Sequence, residues 1–100
     1  MTKYVFAYHG GGSPENMTEE QGKAVMDAWM SWFGTLGAAV VDGGNPFGPS
    51  TTVGAGSSAG LTGYSIVSAD NLDAASTMAK GCPILEAGGS VDVYETMEIM

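Results

Sequence analysis

Apolar positions follow two different rhythms along this chain. From Lys3 to Tyr8 the residues Lys3, Tyr4, Val5, Phe6, Ala7 and Tyr8 are mostly aromatic or β-branched and run into Gly10, Gly11 and Gly12, which predicts a first strand ending in a loop. The period then changes. Gly22, Val25, Met26, Trp29, Trp32, Phe33 and Leu36 recur at steps of three and four, the stripe of a core-facing helix. Thr18 and Gln21 have the spacing of a capping box at its start, Glu19 and Glu20 fall in its first turn, and Gly37 stands where a left-handed cap would end it. Trp29, Trp32 and Phe33, at helical spacing, are read as core, and Met17, Met26, Met30, Met78, Met97 and Met100 as gap filling and tail packing.

Ala38 to Asp42 form a short predicted strand. Between Gly43 and Gly63 lie seven glycines together with Pro46 and Pro49, so turns and a hairpin connection are expected there. Gly63 to Ser68 reads as a third strand. A second helix is capped by Asp70 or Asn71, carries Leu72, Ala75, Met78 and Ala79, and stops at Gly81 and Pro83. Ser90 to Glu95 is a fourth strand, with Val91 and Val93 on one face and Asp92 and Tyr94 on the other.

Strand, helix, strand, strand, helix, strand is the order of a ferredoxin-like βαββαβ sandwich, an α+β fold, and residues 1–100 suffice for one such domain. Right-handed crossovers place the first and third strands in the centre of the sheet. Two helices cover one sheet face only, yet the first strand is largely apolar on both: Val5 and Ala7 on one side, Tyr4, Phe6 and Tyr8 on the other. Three aromatic rings left in water would forfeit several kcal/mol, at about 25 cal/mol per Å². Burial of the second face by another copy, a homodimer, is therefore expected.

Composition narrows the function. The chain has 3 Lys plus Arg, all of them Lys (Lys3, Lys23, Lys80), against 11 Asp plus Glu, a formal net charge of −8. Nucleic-acid backbones and anionic membrane surfaces need clustered cations, which are missing. Without arginine there is no guanidinium fork for a phosphate or carboxylate. No stretch is apolar for long enough to span a bilayer. One cysteine, Cys82, allows neither an intrachain disulfide nor a Cys-based zinc site, and nothing near the first residues resembles a targeting segment, so a cytoplasmic setting is expected. No metal, nucleotide or flavin cofactor is expected from these residues.

The segments Gly63-Tyr64-Ser65-Ile66-Val67, Asp70-Asn71-Leu72-Asp73-Ala74-Ala75, Gly81-Cys82-Pro83 and Gly88-Gly89-Ser90-Val91-Asp92-Val93 resemble the closing half of YCII-related domain proteins. The opening Lys3-Tyr4-Val5-Phe6 and the Gly37-Ala38-Ala39-Val40 run fit the same family, so the resemblance covers essentially the whole chain. Many relatives carry an Asp-Gly-Pro-Phe signature in the middle connection. Here Asn45-Pro46-Phe47-Gly48-Pro49 stands instead, which puts the chain in a side branch and leaves the residues placed by that signature without a counterpart. The resemblance implies a dimeric α+β barrel with a cleft in each subunit. In some barrel relatives it implies lactone isomerase or dehydrochlorinase chemistry by a His–Asp pair on small aromatic-derived acids.

His9, the only histidine, sits at the carboxyl end of the first strand. In the predicted sandwich that end also receives Asp42 and Asn45 from the second strand and Tyr64, Ser65, Ser90 and Asp92 from the starts of the third and fourth. An imidazole that titrates near neutrality, with a carboxylate to fix its tautomer, is the equipment of general acid–base catalysis. His9 with Asp42 or Asp92 is the candidate catalytic set, and Tyr8, Asn45, Tyr64, Ser65 and Ser90 are the candidate substrate-binding residues. Which parity of the first strand packs on the helices decides whether His9 faces a cleft. The alternative is a non-catalytic dimer holding a small ligand in a cleft lined by Tyr4, Phe6, Tyr8 and Tyr64, with His9 merely capping its strand. Two hydrolase look-alikes are set aside. His9-Gly10-Gly11-Gly12 mimics an oxyanion loop and Gly56-Ser57-Ser58-Ala59-Gly60 a nucleophile elbow, but a strand rather than a helix follows the serine and no histidine comes after it.

Overall fold

The computed structural model describes residues 2–10, 17–56 and 60–99. Its elements are β1 (Thr2–His9), α1 (Glu19–Leu36), β2 (Val40–Asp42), β3 (Leu61–Ala69), α2 (Leu72–Ala79) and β4 (Ser90–Glu95), with single 3-10 turns at Gly37–Ala39 and Pro83–Leu85. The four strands form one antiparallel sheet in the order β2-β3-β1-β4, the ferredoxin-like arrangement with β1 and β3 in the centre. The serine run 57–58 and the glycines at 11 and 12 in the hydrolase look-alikes lie outside the described residues.

The parity of β1 is resolved by burial. Tyr4, Phe6 and Tyr8 are buried, and they form the core with Val67 and Ala69 of β3, Trp32 of α1, Ala75 and Ala79 of α2, and Cys82 and Ile84 beyond it. Phe6 stacks on Trp32 with ring centroids 6.0 Å apart, and Tyr8 meets the edge of Trp29 at 5.0 Å. Both helices thus pack on the aromatic parity, where each fully buried large side chain contributes about 1.5–3 kcal/mol. The rings whose exposure was expected to demand a second covering layer are already covered by this chain's own helices. Val5, Ala7 and His9, with Tyr64 and Ile66 of β3 and Asp92 and Tyr94 of β4, occupy the opposite, open face.

Helix α1 starts as its sequence requires: the Gln21 amide N–H donates to Thr18 Oγ1 and the Thr18 amide N–H to Gln21 Oε1, a complete capping box. At its other end Gly37 has φ 56° but ψ −126°, so the expected left-handed helical cap is replaced by a 3-10 turn that leads into β2. Trp32 is locked in place, its indole N–H donating to the Met78 carbonyl 3.0 Å away, and Gly81 lies so near that ring that a Cβ there would stand 3.2 Å from it. The apolar stripe is only half used. Val25 and Met26 remain exposed, contrary to the expectation that the whole stripe packs inward, because only its Trp29–Leu36 half meets the core, and Met30 is exposed rather than filling a gap. Met97 is also exposed rather than packed, and Met100 is outside the described residues. No helix among the described residues is long and apolar enough to cross a membrane.

Candidate active site

The open face carries the chemistry. Register in the β1–β4 ladder sets Ala7 opposite Asp92 and His9 opposite Ser90, so His9 and Asp92 are diagonal neighbours on one face, within reach of long side chains. Their side chains meet: His9 Nε2 lies 2.8 Å from Asp92 Oδ2. A carboxylate only accepts, so a neutral ring carries its proton on Nε2 and leaves the lone pair on Nδ1. That free nitrogen is bordered by Gly60, where a Cβ would stand 3.6 Å from Nδ1. The His9 side chain is about one-third exposed and that of Asp92 about half exposed, so the pair is open to small molecules.

Asp42, the other candidate partner of the imidazole, does something different. Its Oδ1 accepts the Gly44 amide N–H at 2.8 Å and its Oδ2 accepts the Tyr64 hydroxyl at 3.4 Å, so from β2, two strands away from His9, it serves a phenol rather than the imidazole. Gly44 makes this approach possible. It adopts φ 74°, and a Cβ there would lie 1.7 Å from the Tyr64 carbonyl oxygen, a distance only glycine tolerates. The Tyr64 ring stacks on Phe47, centroids 5.9 Å apart and planes inclined by 22°.

The remaining candidates divide between the faces. Ser90 pairs with His9 across the ladder and is exposed. Asn45 is exposed in the loop after β2. Tyr8 and Ser65 point the other way: the Tyr8 hydroxyl donates to Ser65 Oγ at 2.8 Å, Ser65 Oγ donates to the Gly43 carbonyl at 2.6 Å, and both residues are buried beneath the helices. Burial also pushes the Tyr8 phenol well above its ordinary range. These two belong to the core, on the sheet face opposite His9. The alternative cleft lined by Tyr4, Phe6 and Tyr8 is corrected in the same way, since those rings fill the core and of that set only Tyr64 reaches the open face. Phe47, not among the site residues singled out from the sequence, stacks on Tyr64 beside the open face. Its position in the Asn45-Pro46-Phe47 turn, where Pro46 bridges to Gly63 and the Phe47 amide N–H donates to the Thr62 carbonyl, was the signal available. Among the described residues no group of three or more His, Cys, Asp or Glu is arranged to hold a metal ion.

No family model and no curated protein matches the chain. Among solved structures it is similar to 5-chloro-2-hydroxyhydroquinone dehydrochlorinase from Burkholderia phenoliruptrix, solved in complex with 2,5-dihydroxybenzoquinone, with a TM-score of 0.59, 15% sequence identity, and coverage of 95% of this chain and 94% of the other. At that identity the likeness is one of fold, and it extends over nearly the full length of both chains.

Proposed function

We propose that this protein is a small acid–base enzyme of the YCII-related kind, in which His9 moves a proton on a small organic acid or aromatic-derived substrate and Asp92 holds its ring. The 2.8 Å contact between His9 Nε2 and Asp92 Oδ2 carries this reading, because it leaves Nδ1 as a base with a carboxylate behind it to stabilise the imidazolium. Two reactions suit such a base. In an isomerisation, Nδ1 takes a proton from one carbon and returns it to another. In an elimination, Nδ1 takes a proton from an O–H or C–H group, the freed electron pair becomes a new double bond, and the leaving group departs with its bonding pair while His9 passes its proton to solvent. The dehydrochlorinase of the same fold makes the elimination the first reaction to assay.

In this reading the working form is a homodimer in the cytoplasm. A second copy covers the open face through the Val5, Ile66 and Tyr94 row, leaving the His9 end of each sheet beside a shared cleft. Tyr94 is 57% exposed in the single chain, and Val5, Ala7 and Ile66 are only half-buried, which gives such a partner apolar area to cover.

The test is chloride release and double-bond isomerisation across a panel of small chlorinated hydroxy-aromatics and unsaturated lactones. His9→Ala is expected to abolish turnover while circular dichroism and melting stay unchanged. Turnover at the normal rate in that variant overturns the proposal.

A further inference from the structure

We infer that the open face around His9 selects a ligand that donates hydrogen bonds and bears no negative charge, an uncharged or cationic N–H or O–H compound rather than a carboxylate or phosphate. This rests on the reading of His9 and Asp92 as the reactive pair and narrows their substrate to the aromatic-derived class, setting the organic acids aside. The polar groups beside Ala7 are mostly acceptors. With its Nε2 proton spent on Asp92, His9 offers a lone pair at Nδ1, and Asp92 stays half exposed with a second carboxylate oxygen beyond the one facing His9. On the other side the Tyr64 hydroxyl, which could have been a donor, is directed at Asp42. Ser90 either donates or accepts and so favours neither class.

Charge points the same way. Asp92 lies opposite Ala7 on the adjacent β4, and Asp42 lies two strands away on β2, roughly 12 Å from Ala7 by strand spacing. No cation balances them, because the whole chain has three lysines and no arginine. Lys3 shares the open face but lies six residues back along β1, roughly 20 Å from His9. Lys23 is exposed on the first half of α1 and Lys80 is exposed just past α2, so neither is carried by a strand of the open face. The stacked Phe47 and Tyr64 add π faces, which attract planar and cationic groups and give nothing to an anion.

Benzamidine, benzamide and benzoate are planar near-isosteres that present a cationic donor, a neutral donor and an anionic acceptor. Each is titrated into the full chain while the Hε1–Cε1 resonance of His9, unambiguous as the only histidine, is followed by NMR. Benzamidinium and benzamide are expected to shift that resonance saturably, with benzoate at least about tenfold weaker, the size of effect that unscreened charges at this range produce. Asp42→Asn should shrink the benzamidinium-to-benzoate ratio by about threefold without moving the His9 signal of the free protein. Benzoate binding as tightly as the other two, or a ratio unchanged in Asp42→Asn, overturns the charge selection while leaving the acid–base site standing. A His9 resonance indifferent to all three probes overturns the site itself, and the selection with it.

Discussion

His9 Nε2 and Asp92 Oδ2 meet at 2.8 Å although neither residue is directly opposite the other in the β1–β4 ladder. The contact therefore depends on both side chains leaning along the strands. If the carboxylate fixes the tautomer, nitrogen-resolved NMR at a pH where the ring is neutral will show the proton on Nε2 in the parent protein and a mixture of tautomers in Asp92→Ala. Because both groups are substantially exposed, the same substitution should change unfolding free energy by no more than about 1 kcal/mol. A large loss of stability, or an unchanged tautomer, would assign the carboxylate a different role.

The buried relay from Tyr8 through Ser65 to Gly43 predicts an asymmetry. Ser65 Oγ accepts from the Tyr8 hydroxyl and donates to the Gly43 carbonyl, so Ser65→Ala strands the phenol and the carbonyl together. Leaving buried polar groups without partners costs about 1–3 kcal/mol each, whereas Tyr8→Phe leaves the serine still bonded to Gly43 and costs about 0.5–1.5 kcal/mol. Urea unfolding of the two variants should rank Ser65→Ala as the worse. The relay also pins the segment after β2 against β3, so Ser65→Ala should disturb the Asp42–Tyr64 contact, visible as a shift of the Tyr64 ring resonances.

The alternation within each strand, the capping box and the order of the sheet were all legible in the residues, because each depends on local period or on a general topological rule. What was not legible depended on distances between elements. Choosing Asp92 over Asp42 as the partner of His9 needs the register of β1 against β4, and nothing local to either strand sets that. Tyr8 and Ser65 sit at the expected end of the sheet, yet on its other face, since the side taken by the helices follows from the fit of Trp29 and Trp32 against Phe6 and Tyr8. Periodicity likewise drew the stripe on α1 without saying how much of it overlies the sheet, which is why Val25 and Met26 were expected in the core and are exposed.

Cys82 is buried, and burial pushes its thiol from 9.0 up to about 11. The folded form thus holds this proton more tightly than the unfolded chain does. Its contribution to stability is fully present below about pH 9 and is lost as pH rises through 11, amounting to roughly 2–3 kcal/mol at the far end. Thermal melts from pH 8 to 11 (about one unit per step) should show the decline beginning above pH 9, and Cys82→Ala should flatten that first part of the curve. The thiol should also resist alkylation at neutral pH until the protein is unfolded.

Ile66 tests the proposed second copy on the open face. It lies opposite Val5 on the open side of the two central strands, while its neighbours Ser65 and Val67 are buried beneath the helices. An aspartate there meets water in a single chain but would be buried against apolar side chains in a face-to-face dimer. A charge buried without a partner costs several kcal/mol, enough to lower the association constant by two or more powers of ten. Sedimentation equilibrium should therefore find the parent protein as a dimer and Ile66→Asp as a folded monomer. The helix-face change Ala75→Asp should unfold the chain instead. A parent protein that sediments as a monomer, or an Ile66→Asp variant as dimeric as the parent, would remove the second copy from the description of the site.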